Sequence, residues 1–160
     1  MLLGVVSDTH GHVELTREAI QMLKALEVDQ VIHCGDIGSD TIIPLFEPWP
    51  TYFVLGNVDH NRQHLEQAIA EAGQTFCDRF GSIEEEGRRI AFLHGDDERR
   101  LHEAIHSGDW DLVCSGHTHV ADLQQHGDTW ALNPGAIYRA NPHSIAVVEL
   151  PELRITNVPV

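Results

Sequence analysis

The chain has 160 residues, 42% of them apolar, which excludes disorder and fits one domain, residues 1–160, with a substantial core. Its 25 acidic residues against 10 basic ones give a formal net charge of −15. That argues against tight binding to a long nucleic acid or an anionic membrane, since both need basic patches.

The elements read in chain order as follows. Leu2–Val6 is a short run of branched apolar residues, expected as a buried strand ending at Ser7-Asp8. Residues 13–26 repeat Leu15, Ala19, Met22, Leu23 and Leu26 at helical spacing, with charged residues between them, and predict an amphipathic helix. Residues 30–34 complete a βαβ unit and are expected to run parallel to the first strand. Residues 41–46 allow only a helical turn or two, because Pro44, Pro48 and Pro50 prevent a long regular element. A third strand at 51–55 leads to a helix at 63–72 with Gly73 as its stop. Residues 82–86 and 89–93 are expected as a hairpin turning at Gly87-Arg88, followed by a short helix at 97–106 and a strand at Leu112–Cys114. Two more hairpins are expected at 120–125 with 129–132 and at 145–150 with 154–158. Mixed sheet in two layers with flanking helices fits this order.

No apolar run reaches the roughly 18 residues that span a bilayer, and no signal peptide is read ahead of the first strand. Cys34, Cys77 and Cys114 form no C-x-x-C pair, and Cys34 and Cys114 lie in apolar runs. An odd, sparse set of thiols fits a reducing compartment, so the expected location is cytoplasmic.

Five strand-like runs end abruptly in a polar residue: Asp8 and His10, Asp36, Asn57, His94, and His117 with His119. In a mostly parallel sheet, strand carboxyl ends are where loops leave open space for a site. Taken singly, Asp8 reads as a turn former, Asn57 as a turn residue and a loop histidine as solvated. Jointly, two carboxylates, an amide oxygen and four imidazoles make a mixed O/N set suited to divalent Mn, Fe, Ni or Zn. Seven ligands exceed one tetrahedral site and suit two ions if a carboxylate bridges them. His102, His106, His126 and His143 read as solvated.

Ser7-Asp8-Thr9-His10-Gly11, Cys34-Gly35-Asp36, Gly56-Asn57-Val58-Asp59, His94-Gly95 and Gly116-His117-Thr118-His119 resemble the five signature blocks of the calcineurin-like metallophosphoesterases. Order and spacing are similar to the small single-domain branch that contains bacterial and archaeal phosphodiesterases and the retromer scaffold subunit. Asn133-Pro134-Gly135 resembles a further block of that branch, and the likeness runs from about residue 3 to 150.

The resemblance implies an α/β fold, a four-layer α/β/β/α sandwich of two mixed sheets flanked by helices. It implies that Asp8, His10 and His119 hold a first metal, that Asn57, His94 and His117 hold a second, and that Asp36 bridges them. The expected activity is a metal-dependent phosphodiesterase acting on a small phosphoester through a metal-bridging hydroxide. The expected cofactors are two divalent ions, manganese first and nickel, iron or zinc otherwise. Asp36, Asn57, His94 and Asp59 are the expected catalytic group, with Asp59 orienting a ligand or the loop. His12, His60 and Arg139 are the substrate-binding candidates. The sequence departs from the family at Val58, where larger members carry a histidine that assists the leaving group, and at Ala136, where the branch usually has serine. The alternative is a non-catalytic metal-binding scaffold of the retromer-subunit type. The sequence sets no oligomeric state.

Overall fold

A computed structural model describes all 160 residues, which form eleven strands, three α-helices and one 3-10 helix. The first half carries β1 (Leu2–Val6), α1 (Val13–Ala25), β2 (Gln30–His33), the 3-10 helix (Asp40–Phe46), β3 (Thr51–Phe53), α2 (Arg62–Glu71) and β4 (Thr75–Phe76). The second half carries β5 (Phe80–Glu85), β6 (Arg88–Leu93), α3 (Glu98–His106), β7 (Leu112–Cys114), β8 (Ala121–His126), β9 (Thr129–Pro134), β10 (Ser144–Glu149) and β11 (Arg154–Pro159).

The strands make two mixed sheets. One is ordered β11-β10-β1-β2-β3-β4, the other β5-β6-β7-β9-β8. In the first, β1, β2, β3 and β4 run parallel; in the second, β6, β7 and β9 do. Side chains alternate across each strand, so one strand feeds two cores. In β6, Ile90 and Phe92 face the other sheet, while Ala91 and Leu93 face α3 with Ala104 and Val113. Leu3, Val5, Ile32, Cys34, Leu112 and Cys114 fill the space between the sheets. Val6, Val31, Phe53 and Ile145 turn the other way and pack under α1, α2 and the 3-10 helix. The layers are therefore helices, sheet, sheet and helix, as the resemblance implies.

Several local expectations are corrected. The buried face of α1 is Thr16, Ala19, Ile20 and Leu23, while Leu15, Met22 and Leu26 pack only at its flanks. Thr16 can face inward because its hydroxyl donates to the His12 carbonyl (2.8 Å). The first hairpin turns at Glu86-Gly87, not Gly87-Arg88. The register pairs Glu85 with Arg88, and both turn residues have positive φ, as a two-residue turn matching strand twist requires. β4 is only two residues long and escapes any periodicity. β9 runs on to Pro134, so the Asn-Pro block lies in a strand.

Candidate metal centre

The loops after β1, β2, β3, β6 and β7 leave the carboxyl ends of parallel strands at one edge of the two sheets. These five loops bring together all seven expected ligands. Asp8, His10, Asp36, His117 and His119 each take a left-handed backbone with φ between 46° and 71°. Asp and His tolerate that region better than most residues, yet each instance costs about 1–3 kcal/mol. Such strain persists only where the surroundings enforce it. Here the enforcement includes Asp8 N–H donating to Gly35 O (3.0 Å) and His10 N–H donating to Asp36 O (2.9 Å).

Oxygen and nitrogen atoms crowd one locus. Asp8 Oδ1 lies 3.1 Å from His119 Nε2 and 3.5 Å from His10 Nε2. Asp36 Oδ2 lies 3.3 Å from His10 Nε2 and 3.2 Å from His94 Nε2, so it stands between the two sets. Asn57 Oδ1 lies 3.0 Å from His94 Nε2 and 3.1 Å from His117 Nδ1. Asp8, His10 and His119 offer one converging triad of donor atoms, and Asp8, Asp36 and His94 another.

Tautomers decide what these atoms can do. His94 Nδ1 faces the Cys34 carbonyl at 2.9 Å and His119 Nδ1 faces the Arg139 carbonyl at 3.2 Å. A carbonyl only accepts, so each Nδ1 carries the proton and a neutral ring turns its Nε2 lone pair inward. At His94 that lone pair meets Asp36 Oδ2 and Asn57 Oδ1, three acceptors facing one another. Only a proton or a cation between them makes the arrangement stable. Asp8 Oδ1 and His10 Nε2 are buried at the same place without a hydrogen-bond partner. The residues fit a pair of divalent ions on donor chemistry and on these unpaired atoms.

Charge follows the same logic. With a proton rather than a cation at that junction, burial pushes the Asp36 carboxyl up, but hydrogen bonds from the Nε2–H of a doubly protonated His94 and from the Val58 N–H, with the nearby His94 and His10, outweigh it, so it stays below the usual carboxylate range. Burial pushes the His94 imidazole down, but the Asp36 hydrogen bond, the charges of Asp8 and Asp36 and the Cys34 carbonyl outweigh it, and it lies above its ordinary value.

A supporting layer fixes the loops. Asp59, buried, accepts from Gly56 N–H (2.9 Å), Ile37 N–H (3.1 Å) and Gly38 N–H (2.9 Å), tying the Asp36 loop to the Asn57 loop. Gly56 has to lack a side chain, since a Cβ there would run into Asp36 Oδ1 and lie 2.5 Å from Asp36 N. Asn133 donates to Gly116 O (2.9 Å) and Thr118 Oγ1 (3.0 Å), which anchors the His117–His119 loop. Fully buried His33 has its Nδ1 facing the Gly35 N–H (3.2 Å), so its Nε2 donates to Thr9 Oγ1 (3.0 Å), which donates to Ile37 O (3.1 Å). Sequence reasoning missed His33, because a histidine ending an apolar run carries no signal of its hydrogen-bond partners.

The remaining candidates lie around this rim. His12 caps α1, its Nδ1 accepting from Leu15 N–H at 3.4 Å, and its ring stacks on Tyr138 at 5.4 Å. Tyr138, also absent from the sequence reading, lies 5.6 Å from the His10 ring. Arg139 is exposed, with its guanidinium over the Tyr138 ring at 5.2 Å. His60 is exposed and lines a hollow with Val58, Asp40 and His64, and Ala136 is fully buried.

The pattern of the calcineurin-like phosphoesterase superfamily domain matches residues 1–152. A phosphodiesterase of Methanocaldococcus jannaschii is 34% identical over 138 residues, covering 84% of this chain and 83% of its own. The solved structure of an archaeal phosphodiesterase superposes with a TM-score of 0.91 at 30% identity, over 100% of both chains. Vps29 of Entamoeba histolytica complexed with Zn²⁺ shares the fold, with a TM-score of 0.66 at 19% identity over 98% of this chain and 90% of that one.

Proposed function

The chain belongs to the calcineurin-like phosphoesterase superfamily, and from that premise we propose that it is a metal-dependent phosphodiesterase acting on a small phosphoester. The observation that carries the reading is the set of inward-facing acceptors: Asp36 Oδ2 between the Nε2 atoms of His10 and His94, with Asp8 Oδ1 and His10 Nε2 buried and unpaired.

Asp8, His10 and His119 would hold one divalent ion, and Asn57, His94 and His117 the other, with Asp36 shared. When bound, such a pair supplies Lewis-acid stabilisation of phosphoryl charge and lowers the pKa of a shared water. The chain's own part is to fix the separation and orientation of the donors. Asp36 sets the spacing, the Cys34 and Arg139 carbonyls hold the His94 and His119 rings, and Asp59 and Asn133 hold the loops. Manganese is our first choice, with nickel, iron or zinc as alternatives.

Val58 brings no ionisable group to the place where larger relatives carry histidine. Proton donation to the leaving group then has no owner at that position. His12, His60 and Arg139 remain the candidates for substrate contact at the rim. A net charge of −15 favours a small substrate over a long nucleic acid or a membrane surface. No helix is long and apolar enough to cross a membrane, and all three cysteines are free. We take residues 1–160 as one domain and the cytoplasm as its compartment. The scaffold alternative gains no patch to rest on, since Val120 is the one large apolar side chain standing out at the surface.

The test is hydrolysis of bis(p-nitrophenyl) phosphate by chelator-stripped protein, before and after adding Mn²⁺, with Asp36→Asn alongside. Turnover restored by metal in the native protein and lost in the folded variant is expected. No turnover with Mn²⁺, Ni²⁺, Fe²⁺ or Zn²⁺ bound, or a fully active variant, would overturn the reading.

A further inference from the structure

We propose that His102, His106 and His126 form a second metal site, remote from the strand-end centre, that takes one divalent ion of the Zn²⁺, Ni²⁺ or Cu²⁺ class. The sequence presents these as three separate solvated histidines. Folding gathers them. His102 and His106 are one turn apart on α3, and their ring centroids are 4.2 Å apart. His126, the last residue of β8, comes from the neighbouring hairpin to within 5.1 Å of the His106 ring.

The place is well separated from the other centre. β8 starts at Ala121, two residues beyond His119, and ends at His126. Five strand steps set them about 17 Å apart. α3 turns Leu101, Ala104 and Ile105 toward the sheet, leaving His102 and His106 exposed.

None of the three imidazoles makes a hydrogen bond or an ion pair with the protein, so all their ring nitrogens are available. His106 is the ring in contact with both of the others, and the proposal requires the exposed side chains to change rotamer so that their nitrogens meet on one ion. His106 and His126 line an open hollow of about 570 Å³ shared with Asp128, which offers an oxygen for a fourth position. Arg89, the cation in that hollow, has Asp111 Oδ2 3.5 Å from its Nε, which offsets its repulsion of a metal.

The donor set differs in kind from the strand-end centre. Imidazole without fixed carboxylates suits Zn²⁺, Ni²⁺ and Cu²⁺ and discriminates against Mn²⁺ and Mg²⁺. Three histidines leave a coordination position for water or Asp128. An ion here would clamp α3 to the β8–β9 hairpin. The strongly acidic surface raises the local concentration of cations.

The site is tested on the full chain by equilibrium dialysis against micromolar Zn²⁺, with bound metal counted per chain. Native protein is expected to hold one more Zn²⁺ than the His102→Asn/His106→Asn/His126→Asn variant, and His106→Asn alone should lose the same ion. Asp36→Asn should keep it, so failure here and failure at the catalytic centre are distinguishable. Mn²⁺-supported turnover should be unchanged in the triple variant. Equal Zn²⁺ counts in native and triple-variant protein, or loss of this ion in Asp36→Asn, would overturn the proposal.

Discussion

Replacing Asp59 should show how far the centre depends on one carboxylate that touches no donor atom of it. In Asp59→Ala, three N–H groups lose their acceptor. Gly38 lies at the surface, where water can take over, but Ile37 and Gly56 are buried. Each buried orphaned donor costs about 1–3 kcal/mol, so the alanine variant should lose about 4 kcal/mol. Asp59→Asn keeps an oxygen for the two buried donors and loses charge, which weakens each bond by about 1 kcal/mol, or about 2 kcal/mol in total. Against a typical net stability of about 5–15 kcal/mol, both are measurable. The assay is urea unfolding at pH 7 of chelator-stripped protein, so that metal binding adds nothing to the native state. An alanine variant within 1 kcal/mol of the native protein, or an asparagine variant as unstable as the alanine one, would refute this account of the loops. In the folded Asp59→Asn protein, metal affinity should also fall, by about 10–100-fold if the carboxylate acts by orienting the ligand loops.

Burial and the neighbouring His94, with a smaller push from His10, bring His33 down to about 3 against the opposing Asp36. Its unfolded value is about 6.5, so below that pH the unfolded chain binds a proton the native protein refuses. His33 therefore costs no stability above pH 6.5, and stability falls by about 1.4 kcal/mol per unit from there toward pH 3. Unfolding at pH 7.5 and 5.0 should show native protein losing about 2 kcal/mol more than His33→Gln, and parallel losses would refute it. Gly56→Ala should abolish most metal-dependent turnover while far-UV circular dichroism stays native, because its Cβ displaces Asp36. Gly73→Ala is the contrast: open space but φ of +70° should cost about 1 kcal/mol in unfolding and leave turnover alone. With Val58 beside the site, rates across a series of diesters should rise steeply as leaving-group pKa falls, and a flat dependence with chemistry rate-limiting would count against it.

Sequence alone determined what depends on near neighbours along the chain. Apolar runs and helical spacing placed most of the elements, and abrupt polar endings picked out all seven donors that the fold gathers, from Asp8 to His119. Those endings were legible because a strand's termination and its loop are adjacent in sequence. Tertiary structure decided what depends on pairing between distant segments. Strand order, the two-residue β4 and the inward face of α1 follow from which surface each element finds to cover. The three donors to Asp59, the His33–Thr9 link and the left-handed backbone at five ligands come from loops that meet only after folding. His126 reaches His106 for the same reason: a helix and a hairpin pack together across twenty residues of sequence, a closeness that no local periodicity encodes.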